Sequence, residues 1–218
     1  MELTKEQIQR LEHYLDVKQI DYIDIRLEIF DHIISDIEEK MEFENLEFET
    51  SFYAITDKWN KHLKETSSFY FGIMHSAPKI ILEKAKKYYK KWFFLSLLSY
   101  LIPLILIDNL NIIISTKIEN IINVGFYSIV LICLLAFAYL FVNKDSKKVK
   151  TTYSFVLKTQ SLGFFIGFLI LFGLRFLSEN GVLNSFNVGF LSIYILNLFC
   201  YFHFYKKHKE AIRKYKIS

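Results

Sequence analysis

The sequence predicts an all-α protein in which a small cytoplasmic domain of about three helices precedes a four-helix transmembrane bundle. Two patterns carry this prediction: apolar residues recur at helical spacing near the N-terminus, and four long apolar segments follow. We divide the chain into an acidic helical domain (1–77), a basic juxtamembrane helix (78–91), the membrane region (92–205) and a basic tail (206–218).

The four apolar segments predict membrane helices at about 92–114, 121–142, 153–177 and 186–204. A helix needs about 20 apolar residues to cross the hydrocarbon core of a bilayer. Because lipid cannot satisfy free backbone groups, each segment should be an α-helix. A polar break at Asp108 and Asn109 interrupts only the first segment.

The basic residues that flank these segments predict the orientation of the chain. Sixteen of them lie before the first segment, between the second and third, or after the fourth, on the side that the positive-inside rule places in the cytoplasm. Both termini are therefore expected in the cytoplasm. The first 12 residues are charged and lack the apolar core of a cleavable signal peptide.

Charge also divides the chain in two. Residues 1–77 contain 17 acidic and 8 basic residues, a net charge of −9, whereas the remainder carries +13. An acidic domain would be repelled by phosphate backbones, so we expect no nucleic-acid partner. The basic flank is better explained by anionic lipid. Its candidate headgroup ligands are Lys84, Lys86, Lys87, Lys90 and Lys91.

Three helices are predicted in the N-terminal domain. Thr4 and Gln7 form a capping-box pattern, which marks the start of the first helix. The second helix has the longest apolar seam, with spacings that alternate between three and four residues. This seam consists of Ile20, Ile23, Leu27, Phe30, Ile34, Ile37 and Met41. The acidic row on the opposite face, which includes Asp24 and Glu28, is expected to be wet. The third helix should bury Phe52, Ile55, Trp59 and Leu63.

A second apolar row on the second helix has two interpretations. The row contains Tyr22, Ile25, Ile29 and Ile33, and it widens the apolar arc beyond what a surface helix needs. The helix is then either central and packed on both sides, or it offers this row to a partner or to a second copy of the chain. We take these four residues as the partner-binding candidates.

The second helix also resembles a known family. The stretch from Arg26 to Ile33 reads Arg-Leu-Glu-Ile-Phe-Asp-His-Ile, and Ile37-Glu38-Glu39 follows it. This pattern is similar to the helical domain of bacterial permease-prefix proteins, also called HAAS signalling-domain proteins, many of which are associated with PadR-type regulators. The resemblance implies a cytoplasmic sensing or docking domain on a membrane part, and hence a multi-pass protein of the bacterial inner membrane.

Few polar residues interrupt the predicted membrane helices. Asn123 and Asn197 could form hydrogen bonds between helices, and Gly163 and Gly167 form a GxxxG pattern that permits close helix packing. Both cysteines, Cys133 and Cys200, fall within apolar segments, where a structural role is expected rather than a disulfide or a metal site.

No motif in the sequence indicates catalysis or a cofactor. Phosphate-binding glycine loops, nucleophile elbows and zinc-protease motifs are missing. Asp31 and His32 lie near other carboxylates, but a single histidine is a weak metal signal. We therefore predict a non-enzymatic regulatory or scaffolding protein that binds a protein partner through its N-terminal domain. A small transporter, or an accessory subunit of a transport complex, is the alternative, and a lipid-modifying enzyme is a third option.

Overall fold

A computed structural model describes residues 2–110, 112–143, 149–178 and 180–215. Three helices are followed by four long apolar ones, which confirms the predicted fold class. The elements are α1 (Lys5–Val17), α2 (Ile23–Glu44), α3 (Phe48–Leu63), β1 (Glu65–Ser68), β2 (Gly72–Pro78), α4 (Lys79–Leu110), α5 (Glu119–Val142), α6 (Thr152–Phe172) and α7 (Ser185–Tyr215).

The chain forms two compact units. Among the described residues, the first, here the N-terminal unit, combines 2–88 with 149–155 and 207–215; the second, here the membrane unit, contains 89–110, 112–143, 156–178 and 180–206. The N-terminal unit therefore includes the first turns of α4 and α6 and the last turns of α7. Lys144, Lys147, Lys148 and Lys216, which contributed to the predicted orientation, lie outside the described residues.

The start of α1 has the predicted capping box. The Thr4 hydroxyl accepts a hydrogen bond from the Gln7 backbone N–H at 3.3 Å, and the Gln7 side chain accepts one from the Thr4 N–H at 2.8 Å. This exchange satisfies two backbone donors that the first helical turn leaves without partners. Further along, Leu11 and Leu15 are buried against the rest of the N-terminal unit.

The buried face of α2 combines the second apolar row with part of the predicted seam, at Ile37 and Met41. Ile25, Ile29 and Ile33 are at most 1% exposed, whereas Leu27, in the middle of the seam, is 52% exposed. The buried row steps by four residues through Ile37 to Met41. A row of residues spaced by four is inclined to the axis of α2 and suits a neighbouring helix that crosses α2 obliquely. The predicted seam, with spacings of three and four, runs parallel to that axis.

This burial corrects the predicted partner-binding surface. Ile25, Ile29 and Ile33 form the core of the N-terminal unit, and Tyr22 at the start of α2 is half-buried. The three isoleucine side chains are consequently inaccessible to a partner while the domain is folded. The expectation of a wet acidic row also fails at Asp24, which is 8% exposed.

The third helix packs against both α1 and α2 through aromatic side chains. The ring of Phe52 meets that of Tyr14 edge-on, with 6.1 Å between their centroids, and Ile55 and Leu63 are buried as predicted. Trp59 is half-buried, and its indole N–H donates to Asp36 on α2 at 3.1 Å. This indole is therefore a natural fluorescent reporter of the α2–α3 contact.

A β-hairpin connects α3 to α4. Strands β1 and β2 pair antiparallel, with Glu65 opposite Pro78 and Thr66 opposite Ala77. A single 3₁₀ turn, Phe69–Phe71, connects them. Gly72 follows that turn with φ at +79°, a backbone conformation that glycine adopts without strain.

Helices α4 to α7 are long and apolar enough to cross a bilayer, so the chain is a multi-pass membrane protein. Two of the predicted spans are too long. α4 ends at Leu110, and Ile113 pairs with Val182 in an isolated bridge; α6 ends at Phe172, before the predicted limit at 177.

Asn123 explains the early end of α6. It is buried on α5, and its side-chain oxygen accepts hydrogen bonds from the backbone N–H groups of Phe176 and Leu177, both at 3.0 Å. Asn123 was predicted to form hydrogen bonds between helices; in the structure it joins α5 to the non-helical backbone that follows α6. Asn197 is half-buried on α7.

Two glycines, Gly167 and Gly189, lie where a side chain of another helix packs closely against the backbone, and the GxxxG pattern includes only the first of them. A Cβ atom at Gly167 would lie 3.2 Å from the Tyr194 ring, whereas one at Gly163 would meet nothing within 4 Å. Gly163 is therefore not a close-packing position. The tightest helix contact is at Gly189, where a Cβ atom would lie 2.9 Å from the Tyr100 ring and 3.1 Å from the Tyr100 carbonyl oxygen.

We predict that Gly189→Ala destabilises the membrane unit by about 1–3 kcal/mol, because overpacking forces Tyr100 or its backbone to shift. The matched control, Gly163→Ala, adds the same methyl group in open space and should leave stability unchanged. Thermal unfolding of the detergent-solubilised protein, followed by fluorescence-detected size exclusion, measures both. Equal midpoints for the two variants would contradict the prediction.

Candidate coupling site at the start of α6

The segment before α6 is bound to the segment before α2. The backbone N–H of Ile23 donates to the Lys150 carbonyl at 3.0 Å, and Tyr22 and Lys150 form an isolated parallel bridge. The Lys150 ammonium also contacts the Asp21 carboxylate at 2.6 Å. Because both side chains are about half exposed, this ion pair adds little stability, and the backbone bond mainly fixes the position.

Asp24 supplies a cap to α6 from a distant part of the sequence. Its carboxylate accepts a hydrogen bond from the backbone N–H of Thr152, the first residue of α6, at 2.9 Å. The first N–H groups of a helix have no acceptor within the helix. A carboxylate there also interacts favourably with the helix dipole. α2 is thus joined to the N-terminus of a membrane helix through a buried, charge-assisted hydrogen bond.

Thr151 caps the same helix and joins it to α7. The Thr151 hydroxyl accepts from the Ser154 backbone N–H at 3.0 Å, and the Ser154 hydroxyl accepts from the Thr151 N–H at 3.0 Å. The same Thr151 oxygen lies 2.9 Å from Nδ1 of His208. Thr151 and His208 are both fully buried. The start of α6 is therefore fixed by α2 and by the end of α7.

A lysine of α4 completes the site. The Lys84 ammonium contacts the Glu28 carboxylate at 2.8 Å and the Asp24 carbonyl oxygen at 3.4 Å. The hydrogen bond from Lys84 lowers the pKa of the Glu28 carboxyl below its ordinary value. This engagement corrects one predicted headgroup ligand, because Lys84 is occupied within the protein. The other four candidates, Lys86, Lys87, Lys90 and Lys91, are exposed.

A cavity of about 200 Å³ lies beside these contacts. On one wall the rings of Tyr88 and Tyr153 stack with 5.1 Å between centroids, and on another Lys207 contacts Glu210 at 2.8 Å. The remaining lining residues are Asp24, Lys84, Ala211, Lys214 and Tyr215. Charges of both signs line this space, so its chemistry favours structural coupling over selection of one ion.

Two further clefts follow α2 and α3 on the surface of the N-terminal unit. One, of about 440 Å³, is bordered by Phe43, Glu39 and Ala54; the other, of about 400 Å³, is bordered by His32, Trp59 and His62. Asp36 and Lys58 line both, so we treat them as one surface, the α2–α3 groove. Phe43 is 82% exposed at its edge.

Metal binding finds no support in the part of the chain that the structure describes. No three histidine, cysteine, aspartate or glutamate side chains are grouped there as a metal site requires. His32 is exposed and borders the α2–α3 groove. Comparison of the chain with family models, with curated proteins and with solved structures found no match. The resemblance to permease-prefix proteins therefore stays a prediction.

Sequence reasoning missed the principal residues of this site. Thr151, Thr152 and Ser154 follow a basic loop and precede an apolar run, which is a recognisable helix-start signal. Asp24 is 128 residues away from Thr152, and no local pattern connects them. His208 lies among basic residues of the tail, where its burial has no sequence signature.

Proposed function

We propose that the protein is a membrane-anchored regulatory protein without catalytic activity, whose N-terminal domain binds a partner and conveys that event to α6. The observation that carries this proposal is the hydrogen bond from Thr152 to Asp24, which couples α2 directly to a membrane helix. A change in the position of α2 would remove a cap from α6. A contact that is made in one state and broken in another is what a switch requires.

The proposed orientation places the N-terminal unit in the cytoplasm of a bacterial cell. Residues 1–88, 149–155 and 207–215 belong to one compact unit, as expected if four spans return them to the same side of the membrane. The basic residues of these three regions favour the cytoplasmic side.

The α2–α3 groove is the proposed partner surface, since the row first suggested is buried. Phe43 offers a large exposed apolar side chain, and Glu39 and Asp36 lie beside it. The domain as a whole carries a net charge of −9. We therefore propose a basic, amphipathic protein segment as the partner, because its charge complements the domain.

Crosslinking and affinity capture from intact membranes test this function. Full-length protein is compared with Phe43→Glu and with a matched control, Val17→Glu, which alters an exposed apolar residue at the end of α1. We expect the captured partner to be lost with Phe43→Glu and kept with Val17→Glu. A partner that both variants retain would place the interaction elsewhere. Capture of no partner by the wild-type chain would favour the transport alternative.

A further inference from the structure

The β-hairpin presents large apolar side chains that are mostly exposed. Phe69 is 84% exposed, Ile73 is 83% exposed and Met74 is 85% exposed. Phe69 lies in the turn between β1 and β2, and Ile73 and Met74 follow at the start of β2, so the three fall within six residues. A cluster of this kind is costly to leave in water and marks an interaction surface.

The composition of the hairpin contrasts with that of the domain around it. Residues 66–78 contain no aspartate, glutamate, lysine or arginine, although residues 1–65 contain 25 of them. The hairpin instead has aromatic residues at 69, 70 and 71, followed by Ile73 and Met74. Aromatic and apolar residues without charge are typical of protein segments at the boundary between lipid and water.

Contacts within the N-terminal unit fix the position of the hairpin tip along α4 and α6. The ring of Phe71 packs edge-on against Phe155, with 5.2 Å between centroids, and Phe155 lies in the first turn of α6. The Lys86 ammonium lies 4.9 Å from the centroid of the Tyr70 ring. Lys86 precedes by six residues the apolar run that begins at Trp92. The tip therefore packs beside the parts of α4 and α6 that belong to the N-terminal unit, a few residues along the chain from the apolar run that begins at Trp92.

We propose that the hairpin tip inserts Phe69, Ile73 and Met74 into the headgroup region of the bilayer, as an attachment additional to the four spans. An exposed lysine lies beside the tip, since Lys86 contacts the Tyr70 ring, and the exposed Lys87, Lys90 and Lys91 follow it along the sequence of α4. Their charges favour anionic headgroups. The occupant of this surface is accordingly the lipid surface itself, and the inference does not depend on the proposed partner.

Depth-dependent fluorescence quenching of the full-length protein tests the insertion. The two native tryptophans are first removed as Trp59→Phe and Trp92→Phe, and Phe69→Trp then places a single indole at the tip. Phe43→Trp in the same background is the matched control, because Phe43 is exposed to the same extent but lies on the α2–α3 groove. The proteins are reconstituted into vesicles of phosphatidylcholine and phosphatidylglycerol with bromine either near the glycerol or near the chain end.

The Phe69→Trp indole should emit at shorter wavelength than the Phe43→Trp indole. Its fluorescence should be quenched most strongly by the lipid that carries bromine near the glycerol. The control indole should be unaffected by either lipid. Ile73→Trp provides an independent probe of the tip if Phe69→Trp fails to fold by circular dichroism. Equal emission from tip and control overturns the proposal. A second outcome also overturns the proposal: a blue shift that grows with the protein-to-lipid ratio and does not respond to the brominated lipids. A second copy of the protein would then cover the tip.

Discussion

Ile33→Ala is expected to lower the free energy of unfolding of the N-terminal domain by about 2–5 kcal/mol. Ile33 is fully buried at the centre of the α2 ridge, and truncation removes apolar contacts and leaves a cavity. A domain of fewer than 80 residues has a small core, so a loss of this size can abolish folding at physiological temperature.

Leu27→Ala is the matched control for this change. Leu27 lies on the same helix and is 52% exposed, so its truncation should cost less than about 0.5–1 kcal/mol. Urea unfolding is followed by Trp59 fluorescence in a Trp92→Phe background, which leaves the indole at the α2–α3 contact as the sole reporter. A larger loss for Leu27→Ala than for Ile33→Ala would restore the seam predicted from the sequence and contradict the observed face.

Asp24→Ala is expected to loosen the start of α6 without unfolding the N-terminal domain. The change leaves the Thr152 N–H buried without an acceptor, at a cost of about 1–3 kcal/mol. Amide hydrogen exchange at residues 152–155 should consequently accelerate by roughly 10- to 100-fold.

Two companion variants separate capping from charge. Asp24→Asn keeps a side-chain oxygen for the Thr152 N–H and should exchange at a rate between wild type and Asp24→Ala. Asp31→Ala removes an exposed carboxylate from the same helix and should leave exchange at α6 unchanged. If Asp24→Ala gives wild-type exchange at residues 152–155, α2 and α6 are not coupled through this bond, and the proposed regulatory mechanism loses its basis.

Local patterns in the sequence predicted local structure well. Thr4 and Gln7 marked the start of α1 because both partners of the capping box lie within one turn. The four apolar segments predicted four long helices because helix length and hydropathy are properties of a contiguous segment. The limits at Leu110 and Phe172 were missed because apolar residues continue past them in non-helical backbone.

The errors arose where packing between distant segments decides the outcome. Both rows of α2 are apolar, and packing against the neighbouring elements buries Ile29 and Ile33 while it leaves Leu27 exposed. The hairpin was missed because Thr66 to Ser68 lack the apolar alternation of a half-buried strand. Asp24 was assigned to the exposed acidic face because no local pattern shows that its carboxylate accepts a hydrogen bond from Thr152, a residue far away in the sequence.

The bond between Asp24 and Thr152 has a consequence for the order of biosynthesis. α2 is synthesised long before α6. The Asp24 carboxylate therefore has no Thr152 N–H to bind until α4 and α5 have been inserted and residue 152 has been synthesised. If α6 entered the bilayer in the opposite orientation, its N-terminus would lie on the far side and the cap would never form. The fold of the N-terminal unit is therefore completed only by a chain whose later helices have been inserted correctly.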